Sequence, residues 1–210
     1  MILRPPIKKY FLNHEVLEKS GLTWQMLYKG INYTYRVLDK IETTLVSEGV
    51  PRLSKIGELA TLSSMIGNFF TTGVIKSSGG LFSRAGSNKY QDLRSDKFKN
   101  IEVKMSIEKN RPKAHLPKEG HYLTCRYVLG NKNGTYTPNK RGEFIWIWEI
   151  RFGYLCKQHF NLSSTINDSG KTAVVNSEGM RKLTPVFFNE NHCPYTKKSK
   201  FRKEIRYINL

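Results

Sequence analysis

Residues 90–104 read YQDLRSDKFKNIEVK, and the pattern of the chain changes at the end of this stretch. From there Ile101, Val103 and Met105 alternate with Glu102, Lys104 and Ser106. A period of two is the mark of a half-buried strand. Successive side chains of a strand point to opposite faces, so Glu102 and Lys104 share one face while the apolar residues turn to the core. Asp92 lies ten residues before Glu102, room enough for a short strand, a turn and a return beside it. Asp96 is a competing first acid, but six residues to Glu102 leave little room for the same path. Two carboxylates brought together repel unless a cation lies between them, and hard oxygen ligands suit Mg²⁺, which also binds phosphate oxygens. Such a cation lowers the pKa of a bound water and offsets charge on a phosphate under attack. Lys104 would then orient or deprotonate that water and stabilise the developing charge.

Upstream of this stretch the period is helical. Leu27, Ile31, Tyr35, Leu38, Ile41 and Leu45 mark one face of a helix from Thr23 to about Ser47, stopped by Gly49 and Pro51. A second helix is expected after Ser54, with Ile56, Leu59, Leu62, Ile66 and Phe69 on its apolar face and an end near Gly73. Residues 77–88 read as a glycine- and serine-rich loop. Downstream, strands are expected over 121–129, 143–155, 172–176 and 185–188. In FIWIWEIRF, residues 144–152, Trp146 and Trp148 share one face and Ile145 and Ile147 the other, the pattern of a central strand buried on both sides. Helices followed by a cluster of strands imply an α/β or α+β fold, a mixed central sheet flanked by helices. No domain boundary stands out. The expected organisation is a single domain over 1–210, with a helical N-terminal part (1–53), a core (54–176) and a C-terminal extension (177–210).

Composition narrows the partner. Thirty-five Lys and Arg stand against 17 Asp and Glu, a formal net charge of +18, with a pI near 9.9. That is the electrostatic footprint of a nucleic-acid binder. Residues 76–118 alone carry eleven Lys or Arg against four acids, a basic surround for a small acidic centre. Three cysteines, Cys125, Cys156 and Cys193, form no disulfide framework and fit a reducing, cytoplasmic setting. No apolar run approaches the roughly 20 residues of a membrane span, and MILRPPIKKYFLN has no signal-peptide core. The segment NDSGKTAVV, 167–175, fails as a phosphate loop because Thr165 stands where the first glycine is needed, so no nucleotide cofactor is expected. Cys156, His159, His192 and Cys193 are poorly spaced for zinc.

Asp92, a gap, then Ile101-Glu102-Val103-Lys104 resembles the motif of the PD-(D/E)XK nuclease superfamily, in which a hydrophobic strand carries E-X-K. Glu58, within IGELA, matches the helical acid many members place beside the site. HYLTCRYVLG and EIRFGYL resemble the core strands of restriction enzymes, and the likeness spans about residues 54–176. Gln91 stands where the family often has proline. The resemblance implies a type II restriction endonuclease: a prokaryotic, homodimeric, Mg²⁺-dependent hydrolase of double-stranded DNA that leaves 5′-phosphates. Asp92, Glu102 and the Val103 carbonyl would hold the metal, with Lys104 and Glu58 assisting. The basic stretch offers Arg84, Lys89, Arg94, Ser106, Arg111 and Lys113 to DNA. The polar segment STINDSGKT offers Ser164, Asn167, Asp168, Lys171 and Thr172 to phosphates or base edges. Two rivals stay open: a repair or recombination nuclease of the same fold, and a non-catalytic basic nucleic-acid-binding protein.

Overall fold

Thr23 begins the longest helix. Its backbone is extended and its hydroxyl accepts the Met26 N–H at 3.3 Å, the N-cap bond that frees the chain to coil. In the computed structural model, which describes residues 4, 6, 8–84, 92–114, 116–163 and 172–201, a short helix α1 (His14–Glu18) precedes α2 (Trp24–Ser47). Leu27, Ile31, Tyr35 and Leu38 are buried as their spacing requires. Ile41 and Leu45 are not. Near its end α2 turns Asp39 and Glu42 inward instead, where Asp39 pairs with buried Arg4 and Glu42 accepts the Leu53 N–H at 3.2 Å.

The second helix differs from its expected span. Leu53–Ile56 makes one turn, α3, and the chain breaks at Gly57 before α4 runs Leu59–Ser77. Ser54 does not cap a helix; it is buried in α3 and donates to the Glu143 carbonyl at 2.8 Å. Ile56 is therefore left exposed, and the buried stripe of α4 is Leu62, Ile66, Phe70 and Val74. Gly73 does not end α4. A Cβ there would stand 2.8 Å from Gly30 Cα and 2.7 Å from Tyr33 Cβ, so the glycine is where α4 presses on α2.

The main sheet has six strands in the order β1 (Ser83–Arg84), β2 (Leu93–Arg94), β3 (Ile101–Ile107), β5 (Gly120–Gly130), β6 (Phe144–Leu155) and β9 (Thr184–Phe188). All neighbours are antiparallel except β3 and β5, which run parallel from Ile101↔His121 to Ile107↔Tyr127. The sheet is thus mixed, with helices packed on it. Parallel neighbours need a crossover, usually helical. Here Pro112 and Pro117 interrupt the crossover, and Lys113–Ala114 instead becomes β4 of a second, three-stranded sheet with β8 (Thr172–Val175) and β7 (Phe160–Ser163). A short helix, α5 (Ser177–Lys182), follows β8, its N-cap Asn176 accepting the Gly179 N–H at 2.9 Å. The loop expected over 77–88 contributes β1, and the segment after 176 contributes the edge strand β9.

One face of the sheet packs on α2 and α4 through Ile101, Val103, Leu123, Tyr127, Ile145 and Ile147. The other buries Val128, Phe144, Trp146 and Trp148. The β5–β6 register passes from Arg126↔Glu149 to Tyr127↔Ile147 and skips Trp148, a bulge beside a buried charge cluster. In that cluster Glu149 receives Arg151 at 2.8 Å and also pairs with Arg126, whose guanidinium lies 4.3 Å from the Trp148 ring. Among the described residues no helix is long and apolar enough to cross a membrane.

Candidate active site

The β2–β3 pairing decides the geometry. Leu93 stands opposite Ile101, and Asp92, the residue before it, lies close enough to Glu102 and Lys104 for their charges to act on its carboxyl. The Asp92 carboxylate turns onto β3 and accepts the Val103 N–H at 2.8 Å. The N–H and C=O of one strand residue point to the same edge, so the Val103 carbonyl faces the Asp92 side as well. Lys104 Nζ lies 2.5 Å from Glu102 Oε1, with the side chains 25% and 13% exposed. Asp92, Glu102, Val103 and Lys104 therefore come together as their spacing suggests, though on a more sheltered face than an open strand. Asp96 does not compete: its side chain is 92% exposed in the β2–β3 turn and pairs with Arg94 at 3.3 Å.

Burial dominates the electrostatics of this group at Asp92. Burial pushes its carboxyl up; the Val103 N–H pulls it down, the Glu102 charge raises it again, and Lys104 and Arg84 oppose. On the neighbouring strand Tyr122, paired with Glu102 in register, has its phenol pushed up to about 12 by burial and by Glu102, while its hydroxyl donates to the Lys118 carbonyl. Among the described residues no group of three or more His, Cys, Asp or Glu side chains gathers as a metal cluster. The oxygen donors at this point are two carboxylates and one main-chain carbonyl.

A groove of about 580 Å³ opens from this group. Asp92, Val103 and Lys104 line it at one end, Arg111, Lys113 and Thr172 at the other, with Ser106 between. Its helical wall is the face of α4 flanking the apolar stripe, carrying Leu59, Ala60, Ser63, Ser64, Gly67, Asn68 and Thr71. Of the DNA-binding candidates, Ser106, Arg111, Lys113 and Thr172 thus share one groove with Asp92 and Lys104, while Glu102 is not among its lining residues. Arg84 is held outside it, donating to Asn68 and to Thr72 on α4, and Arg94 lies on β2 beside Asp96. Lys89, Ser164, Asn167, Asp168 and Lys171 lie outside the described residues.

Glu58 is a correction. It sits not within a helix but at the N-cap of α4, exposed and making no capping bond, one residue before the groove lining starts at Leu59. The break at Gly57 shifts the helix start past it. Sequence reasoning missed the wall of α4 and Tyr122. The first was legible as the small, polar face at three- and four-residue spacing flanking Leu62, Ile66 and Phe70; the second depends on the parallel β3–β5 register, which no local pattern reveals. Elsewhere, His159 Nδ1 accepts the Cys156 N–H at 2.9 Å, a capping role inside the chain.

Comparison with known proteins finds no matching family model and no matching curated protein.

Proposed function

We propose that this protein is a type II restriction endonuclease of PD-(D/E)XK type, hydrolysing phosphodiester bonds of double-stranded DNA with Mg²⁺. The observation that carries the reading is the Asp92 carboxylate anchored on the Val103 N–H, within electrostatic reach of a Glu102 that is itself paired with Lys104. The donor set fits a hard divalent cation: Asp92, Glu102 and the Val103 carbonyl are oxygen ligands, and burial of the Asp92 carboxyl raises its pKa, a cost that a bound cation would offset. When bound, Mg²⁺ would supply Lewis-acid activation of water and charge neutralisation at the phosphate.

The protein residues supply position and protons. The Val103 N–H fixes the Asp92 carboxylate against β3, so one ligand is preorganised by the backbone. Lys104 Nζ, held by Glu102, can steer a water toward the phosphorus and offset charge on the pentavalent phosphate. Glu58, outside the groove lining, is left a supporting place at its entrance. The excess of positive charge, +18 over the chain, would gather DNA by counterion release. A homodimer would match a palindromic site and cut both strands in one encounter.

The test is a digest of long bacteriophage DNA with purified protein, in Mg²⁺ and in EDTA. Discrete Mg²⁺-dependent bands with 5′-phosphate ends are expected. A Mg²⁺-dependent smear would move the same site to a repair or structure-reading nuclease. Intact but retarded DNA in both lanes would replace the nuclease reading with a binding protein.

A further inference from the structure

Among the described residues β3 pairs with β2 at Leu93↔Ile101 alone, and no described strand continues along that edge. Because the Val103 N–H points to this edge, the main-chain groups of Met105 point there too, while the Ile107 carbonyl accepts the Asn110 N–H at 3.0 Å. The groove lies along this edge, with α4 on one side and β4 and β8 on the other.

Three further observations say what belongs there. Past Leu59, the α4 wall is built of the small or polar residues Ala60, Ser63, Ser64, Gly67, Asn68 and Thr71. Ser106 is 6% exposed, and its hydroxyl has no hydrogen-bond partner. A buried hydroxyl without a partner costs stability, and it can turn about χ1 toward an incoming acceptor without moving the backbone. At the far end Arg111 and Lys113 are exposed cations, Arg111 steadied by a 2.8 Å bond to Ser177 Oγ. Lys104 to Ser106 is two strand residues, about 7 Å, a step of the order of one extended nucleotide. Donors and cations in file, and no acid beyond Asp92 among the groove residues, suit a polyanion.

We propose that the groove along the edge of β3 is the track of the cut strand: from Asp92 and Lys104 the backbone continues past the Ser106 hydroxyl to phosphates held by Arg111 and Lys113. This rests on the nuclease reading for which phosphate is cut, but not for the binding itself. The enzyme therefore grips one strand asymmetrically, on one side of the scissile bond.

The test is fluorescence-anisotropy binding of short labelled single-stranded and duplex DNA in EDTA, where no cleavage intervenes. Ser64→Trp fills the groove from α4 without touching the acid pair, and is expected to weaken binding at least tenfold. Lys113→Ala should weaken it about threefold or more and flatten the log K against log salt slope by about 0.7 on the single strand. Melting curves check that both variants fold; if Ser64→Trp does not, Lys113→Ala decides. Wild-type binding and slope in the folded variants would overturn the track, even if Asp92, Glu102 and Lys104 proved catalytic. Weakened binding by a protein that never cuts DNA would support the track and remove the nuclease reading.

Discussion

Two glycines six residues apart on α4 should respond to the same substitution with opposite sign. Alanine in place of glycine inside a helix gains roughly 0.8–1.0 kcal/mol of backbone propensity. At Gly67 the new methyl would meet only Met105 Cγ, at 3.3 Å, the middle of a flexible side chain that can shift by a few tenths of an ångström. Gly67→Ala should therefore stabilise the protein by up to about 1 kcal/mol. At Gly73 the methyl would meet Gly30 Cα at 2.8 Å and Tyr33 Cβ at 2.7 Å, atoms fixed by the backbone of α2, with the Lys29 carbonyl at 3.1 Å. No rotamer relieves that overlap, so α4 must lift from α2, an overpacking cost of about 1–3 kcal/mol that outweighs the propensity gain. For a chain of this size each kcal/mol moves Tm by about 2–4 °C. Thermal unfolding followed by circular dichroism should show Gly67→Ala melting at or above the wild type and Gly73→Ala several degrees below it. A Gly73→Ala protein as stable as Gly67→Ala would refute the close α2–α4 contact, and with it the placement of the wall that α4 gives the groove.

Other outcomes follow from the charges. Asp92→Asn keeps an acceptor for the Val103 N–H but removes a carboxylate whose pKa is raised in the fold, chiefly by burial. A raised carboxyl contributes stability below its unfolded pKa of about 3.9 and loses it as pH climbs through the folded value. In EDTA the variant should thus gain stability over wild type at neutral pH and not at pH 3, as read by melts across that range. In Mg²⁺, cleavage by the wild type should fall as pH drops and Asp92 takes up its proton. Glu149→Ala would strand Arg126 and Arg151 among aromatic rings, a loss of about 3–5 kcal/mol visible in urea unfolding.

Much of the architecture was legible because local patterns and tertiary packing agree. The helix of α2 begins at its capping threonine and the β6 strand alternates apolar faces as written, since both bury what their periods present. The acid pair was legible for a related reason: ten residues are the length of a tight strand reversal, and the antiparallel pairing at Leu93↔Ile101 then brings Asp92 near Glu102. What escaped depends on contacts between distant segments. Gly73 reads as a stop, but it is a helix-contact residue against Gly30. Glu58 reads as helical until Gly57 delays the helix by a turn. The end of α2 reads as apolar through Leu45, yet Arg4 and Leu53, far off in sequence, draw Asp39 and Glu42 inward. β8 is expected over 172–176, but β4 and β7 carry no strong alternation, and the three-stranded sheet that walls the groove exists by their pairing with β8.

The most direct test of the central claim is cleavage of plasmid DNA in Mg²⁺ by wild-type protein beside Asp92→Asn, Glu102→Gln and Lys104→Ala, with DNA binding measured on the same samples. The account predicts that the wild type cuts, that each variant loses about 10²–10⁴-fold or more in rate, and that all four still retard DNA. Cleavage that persists in all three variants would contradict it, and the pairing of Asp92 with β3 would then be ordinary strand architecture.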